Sequence, residues 1–417
     1  MTEHVERIVL DERGTARIVE LDDDHAALIR ASGLLQVEPA GPLRWRLAPH
    51  QRVDRIRVGA VRVGELDVEV RPRIGIARLL FLLGYATDPV FRPADTAADI
   101  AGGLWPALAE TLVRHTERAF AHGPLPGYRT VRELSTVVRG RLLVTEQINR
   151  RPGLVTPVEV EYEDMTLDTP EHRILRTALH RIAQLPRLPG PLLDRLHALD
   201  ARLRTVTLLR IGTPVPAWRT DRRTAGYTSA LRLAEIVLRH QSFEYGPGSL
   251  TAGSFVVPIA RLFEQFVTVA VREALLPHQG TTAAQVHSYL DTGAGVPIRP
   301  DIVYTHPDTT VTILDAKYAD SGSGRSSDYY QMHAYCTAFQ ATRGYLVYAG
   351  KGAPLSRTVK NTSINLIEYP LDLTTEPEHI LERLTALAAL VAAGHASAPT
   401  AEAHHCGQAA SPREGLS

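Results

Sequence analysis

Three short stretches between residues 299 and 335 carry the side chains that metal-assisted hydrolysis needs. They are Arg299-Pro300-Asp301, Leu314-Asp315-Ala316-Lys317 and Gln331-Met332-His333-Ala334-Tyr335. Asp301 and Asp315 each close a short apolar run that reads as a strand. Residues two apart on a strand face the same side, so Asp315 and Lys317 project together. Asp301 joins them if the two strands pair, and Thr305-His306-Pro307-Asp308-Thr309 is a polar, proline-containing turn suited to such a hairpin. Two aspartates offer hard oxygen ligands, which favour magnesium or manganese over zinc. An ion held there lowers the pKa of a bound water and stabilises charge growing on a phosphate. Lys317 would orient that water or neutralise the phosphate. A bare Asp-x-Lys is a weak signal, because acids and lysines also form ordinary surface pairs. The ordered set, with a helix acid before it and Gln-x-x-x-Tyr after it, makes a nuclease the leading reading.

The elements that must position these residues follow from periodicity. After Gly246-Pro247-Gly248-Ser249, read as the main domain boundary, Ile259, Leu262, Phe263, Phe266, Val267 and Ala270 describe one apolar helix face. Strands are expected at about 283–290, 297–305 and 310–318, a helix at 327–341, then strands at 344–348 and 363–369. That order makes a compact α/β unit. Upstream, residues 1–75 alternate as short antiparallel strands, with Gly59 and Gly64 as turn points. Residues 76–245 mix helices (77–85, 104–121, 191–204, 228–240) with strand and turn around 129–150. Thr169-Pro170-Glu171 starts a further helix, whose apolar face is Ile174, Leu175, Ala178, Leu179 and Ile182. The expected units are therefore 1–75, a basic middle region at 76–245, 250–372, a helix at 373–394, and a disordered tail at 395–417. His404-His405-Cys406 in that tail is read as functionless, and no internal repeat is seen.

Composition narrows the options. The 417 residues are 44% hydrophobic and 22% charged, as in ordinary globular domains, and no apolar run is long enough to span a bilayer. Met1-Thr2-Glu3-His4-Val5-Glu6 lacks the basic start and apolar stretch of a signal peptide. Two cysteines, Cys336 and Cys406, give no disulfide framework and suit a cytoplasmic protein. Net charge is zero, which argues against a dedicated high-affinity nucleic-acid binder. The charge is uneven, however: residues 129–239 hold 19 arginines against 12 acids. Such a surplus suits either a phosphate backbone or an acidic partner. Gly350-Lys351-Gly352 lacks both the upstream glycine and the Ser or Thr of a phosphate-binding loop, so it reads as a turn.

The 264–335 pattern resembles the PD-(D/E)xK nuclease superfamily, and Gln331 to Tyr335 resembles the glutamine-tyrosine motif of its RecB-like branch. Over roughly residues 60–370 the chain resembles the McrC subunit of McrBC-type modified-cytosine restriction systems. Matching stretches include Glu69-Val70-Arg71-Pro72-Arg73-Ile74, Val138-Arg139-Gly140-Arg141-Leu142, Leu262-Phe263-Glu264 and Asp328-Tyr329-Tyr330-Gln331-Met332. Leu167-Asp168-Thr169-Pro170-Glu171-His172-Arg173-Ile174-Leu175 points most sharply to this family.

The resemblance implies a multidomain α/β and α+β chain. In it, β-rich and helical regions precede a carboxy-terminal restriction-endonuclease-like PD-(D/E)xK domain. It implies Asp301 and Asp315 as metal ligands for Mg²⁺ or Mn²⁺, Lys317 as the catalytic lysine and Glu264 as the helix acid completing the shell. Gln331 would contact DNA or help hold the site, whereas Tyr335 and Tyr318 read as packing residues. The implied partners are modified-cytosine DNA and an McrB-like AAA+ GTPase hexamer, which would use the GTP and which the amino-terminal part would stimulate. Arg44 or Arg46, beside Trp45, is a guess for a motor contact. No membrane is implied. Two other functions stay open at this point: a stand-alone RecB-like repair nuclease, and a non-catalytic adaptor that activates an AAA+ NTPase. The long region before the nuclease unit counts against the first, and an intact Asp301, Asp315 and Lys317 set against the second.

Overall fold

Alternating apolar residues at the amino terminus build one small sheet and part of a larger one. In order come β1 (Arg7–Asp11), β2 (Arg17–Glu20), α1 (Asp23–Ala31), β3 (Gln36–Gly41), β4 (Arg44–Ala48), β5 (Arg57–Val63) and β6 (Leu66–Arg71). This computed structural model describes residues 7–89, 91, 103–185, 187–245, 251–319 and 326–394. β2, β4 and β3 form one antiparallel sheet. β5 and β6 pair antiparallel, but β1 adds to β6 in parallel. Helix α1 was not expected, although its signal is present: Asp22 caps it by accepting the His25 N–H at 2.8 Å, ahead of Asp23 and Asp24. Gly64 does turn the chain, at φ 54°. Gly59 does not; it lies inside β5, where a Cβ would sit 1.9 Å from the Phe255 carbonyl oxygen of a neighbouring strand. Only glycine permits that approach.

The middle region holds α2 (Ile76–Thr87), α3 (Leu104–Ala119), β7 (Gly127–Ser135), β8 (Arg141–Leu142), α4 (Val144–Arg150), β9 (Val158–Thr166), α5 (Pro170–Ala183), α6 (Gly190–Arg202) and α7 (Thr228–His240). The three strands form a separate sheet in the order β7-β9-β8. The short helix α4 interrupts what reads in sequence as strand and turn. α5 begins as its residues dictate: Thr169 Oγ1 accepts the His172 N–H and Pro170 occupies the first turn. Ile174, Leu175, Ala178, Leu179 and Ile182 are all fully buried.

β10 (Gln241–Tyr245) and β11 (Thr251–Pro258) pair with each other, and β11 pairs with β5. The first large sheet therefore runs β1-β6-β5-β11-β10. Gly246 to Ser249, expected to divide the chain, lies outside the described residues. The strands on either side share that sheet, with Phe255 and Val257 of β11 buried in the core. The expected carboxy-terminal unit thus contributes its first strand to the amino-terminal sheet.

The remaining elements are α8 (Ile259–Leu275), β12 (Thr281–Ala284), β13 (Ser288–Tyr289), β14 (Pro297–Ile298), β15 (Ile302–Thr305), β16 (Val311–Lys317), α9 (Ser326–Ala338), β17 (Arg343–Tyr348), β18 (Leu355–Thr358), β19 (Asn365–Pro370) and α10 (Pro377–Ala392). A six-stranded sheet runs β12-β15-β16-β17-β19-β18, with β16, β17 and β19 parallel. The runs expected at 283–290 and 297–305 are each split. Pro300, which has no N–H for a ladder, stands between β14 and β15, so Asp301 opens a strand rather than closing one. One face of the sheet packs Leu314, Ala316 and Tyr318 against α8 and α10 in the main core. The other packs Ile313, Leu346 and Tyr348 against Met332, Tyr335 and Cys336 of α9. Gly344 makes that second contact possible, because a Cβ there would meet Met332 at 2.6 Å. Residues 395–417, with His404, His405 and Cys406, lie outside the described residues. No helix among the described residues is long and apolar enough to cross a membrane.

Candidate active site

The β15–β16 register pairs Ile302 with Leu314, and one step further along it sets Asp301 opposite Asp315. Asp301 is anchored from both sides. Its Oδ2 accepts the Ala316 N–H at 2.9 Å, and its Oδ1 accepts the Gln285 side-chain amide at 2.6 Å. Gln285 has a left-handed backbone, φ 53°, just beyond β12, and its N–H also bonds the Asp301 carbonyl at 2.9 Å. A non-glycine residue held there is strained. Gln285 was not picked out in the sequence, and only its strand register with Asp301 would have identified it.

Asp315 and Lys317 project to one face, as their spacing requires. Lys317 Nζ lies 2.5 Å from Asp315 Oδ2, a close ion pair at a buried carboxylate. Burial pushes Asp315 up to about 6, with Lys317 opposing and Asp301 adding to the rise. Burial likewise raises Asp301, against the Ala316 N–H and Lys317. Lys317 is itself buried, yet Asp315 outweighs that burial and holds its pKa above the usual lysine value.

Glu264 comes from α8, across the sheet. Burial and then Asp301 raise it to about 7, with Asp315 adding and Lys317 and Arg261 opposing. The structure thus brings together Asp301, Asp315 and Lys317, and sets Glu264 near enough for their charges to act on it. Gln331 is more peripheral: its exposed amide donates to the Tyr335 hydroxyl at 2.7 Å, and that hydroxyl reaches the Arg299 carbonyl at 3.4 Å. Tyr335 is buried in the α9 core and close enough to Asp315 for that charge to raise its pKa, after burial. Tyr318 is core, as expected, but its hydroxyl is bonded to Glu12. Arg44 and Arg46 pair with Glu20 and Glu38 on the small sheet.

The donor set is three carboxylates whose charges disfavour one another. That chemistry fits a hard divalent cation. Among the described residues, no three His, Cys, Asp or Glu side chains are already gathered as a metal cage.

The Leu167 to Leu175 stretch carries a hydrogen-bond network of its own. Asp168 accepts two bonds from Arg173, at 2.7 and 2.8 Å, and two from Thr207, both at 2.9 Å. Arg173 first, then the Thr207 donors, hold its carboxyl far below the usual carboxylate range.

Two acids and a lysine at the carboxyl end of a central strand, with further sheets and helices around it, define a mixed α/β multidomain protein with a candidate hydrolytic centre. The sequence model of the McrBC 5-methylcytosine restriction system component family matches residues 55–349, and the chain belongs to that family. No curated protein matches the sequence. In fold it is similar to a chain of the refined half-complex from a tetradecameric assembly of Thermococcus gammatolerans McrB AAA+ hexamers with bound McrC. That likeness has a TM-score of 0.63 at 16% identity, over 91% of this chain and 98% of the other. A chain of the cryo-EM structure of the Thermococcus gammatolerans McrBC complex is more distantly similar: 15% identity, TM-score 0.45, 64% of this chain and 88% of the other.

Proposed function

We propose that this chain is the Mg²⁺-dependent DNA endonuclease subunit of a McrBC-like restriction system, acting with a McrB-like AAA+ GTPase that it stimulates. The single observation that carries the reading is the set of Asp301 opposite Asp315 with the Lys317 ammonium 2.5 Å from the latter. In this reading residues 259–370 form a PD-(D/E)xK nuclease unit, and DNA bearing modified cytosine is the substrate. Association with McrB hexamers is proposed from the family and from the fold shared with the Thermococcus gammatolerans assembly.

Asp301 and Asp315 would hold the cation, with Glu264 completing the set directly or through water. When bound, the ion supplies charge stabilisation on the phosphate and a more acidic water. The chain's own residues do the rest. Ala316 and Gln285 fix both oxygens of Asp301. Lys317 places a positive charge beside the reacting phosphate, where a preorganised charge in a poorly solvated site is most effective. Glu264, poised near neutrality, can hold or release a proton at its carboxylate. Cleavage of DNA by the chain plus its partner, with Mg²⁺ and GTP present and then each withheld, tests the proposal. The adaptor reading gives GTPase stimulation without any cut.

A further inference from the structure

A cleft of about 520 Å³ opens beside the acids. α7 of the middle region lines one side with Arg239, and α8 lines the other with Arg261, Glu264 and Thr268, while Gln285 and Arg299 close the end nearest Asp301. Counting Arg232, four arginines face one glutamate there. Arg232 is neutralised by Asp88 and Glu235, at 3.0 and 2.9 Å, and Arg239, half-exposed, pairs more loosely with Glu235 at 3.6 Å. Arg261 and Arg299 are different: both are exposed, and among the described residues neither side chain makes a hydrogen bond or close ion pair, although their charges act on Glu264 and Asp301. Thr268 also lines the cleft, but its hydroxyl is buried away from it.

We propose that this cleft holds the phosphodiester backbone of the DNA strand next to the position of cleavage. Arg261 and Arg299 contact phosphate oxygens, and Arg239 extends the track onto α7. The inference rests on the nuclease reading and adds a claim to it. The substrate surface is built jointly by the nuclease unit and a middle-region helix, so the zero net charge of the chain conceals a local cationic track. Arginine suits this task because its planar donors match phosphate geometry.

The test is binding of a fluorescent DNA duplex to the full chain, with Asp315→Asn suppressing cleavage, across a range of sodium chloride concentrations. In the Arg261→Gln/Arg299→Gln variant, affinity at low salt falls about tenfold and the log–log salt slope drops by about two, one per lost phosphate contact. Arg261→Lys/Arg299→Lys keeps the slope, because the charges remain. An unchanged slope and affinity in the Gln variant overturns the proposal; so does a Lys variant as weak as the Gln variant. Cleavage by the unaltered chain with an unchanged slope sinks the cleft alone. Binding through the cleft by a chain that never cuts sinks the nuclease reading alone.

Discussion

The hydroxyl of Tyr318 meets both carboxylate oxygens of Glu12, at 3.0 and 3.1 Å. The residue that follows Lys317 is thereby tied to the end of the first strand of the chain. Arg73, from the end of β6, lies over the Tyr318 ring at 4.8 Å and donates to the Ala349 carbonyl at 2.5 Å. Arg13 reaches the Tyr318 carbonyl at 3.3 Å. Burial raises the pKa of Glu12, against the Arg73 and Tyr318 bonds. Tyr318→Phe removes one bonding partner from a carboxylate only 2% exposed. The expected cost is about 1–3 kcal/mol of folding stability, read by chemical denaturation. A Phe variant as stable as the parent would show that the clamp is energetically idle.

Asp168→Ala should cost about 2 kcal/mol, because Arg173 and two Thr207 donors lose their acceptor. The sign of its pH dependence is fixed. A carboxyl with a depressed folded pKa stabilises the fold at neutral pH, and that contribution fades as pH falls below the ordinary carboxylate range. The gap between parent and variant should therefore be widest near neutrality and close in acid. A gap independent of pH contradicts the assignment.

Much of the site was legible because strand periodicity and spacing report it directly. Asp315 and Lys317 had to share a face once residues 311–317 were a strand, and Thr305 to Thr309 announced the hairpin that brings in Asp301. What could not be seen depends on contacts distant in sequence. Gln285 acquires its role only from the register of β12 with β15, and Glu12 only from packing against a tyrosine 306 residues later. The sharing of one sheet by β5 and β11 is likewise a long-range pairing, so a Gly-Pro-Gly stretch that reads as a divider stands between two paired strands. Gly59 was misread for the same reason: its meaning lies in Phe255, on another strand.

Glu264→Gln should alter stability with the opposite sign to Asp168. A carboxyl raised from 4.5 to about 7 in the fold is stabilising only while protonated, and that contribution is lost as pH rises through this interval. Without divalent ions, the Gln variant should match the parent in acid and exceed it by about 1–3 kcal/mol above neutrality. Thermal melts across that range give the answer. Parallel curves for the two proteins would place Glu264 in bulk solvent instead.

Gln285→Ala removes the amide that holds Asp301 Oδ1 at 2.6 Å. In the proposed nuclease, the Mg²⁺ concentration for half-maximal cleavage should rise about tenfold or more, as for other residues that orient a metal ligand. Maximal cleavage at saturating Mg²⁺ should fall less. Loss of rate with no change in the metal requirement would assign Gln285 to packing.

The most direct measurement is DNA cleavage by the chain together with its AAA+ partner, in Mg²⁺ and GTP, for the parent, Asp315→Ala and Lys317→Ala. The expected result is cutting by the parent alone, with GTPase stimulation largely retained by both variants. Both variants cutting at the parental rate would contradict the assignment of Asp301, Asp315 and Lys317 as the hydrolytic centre.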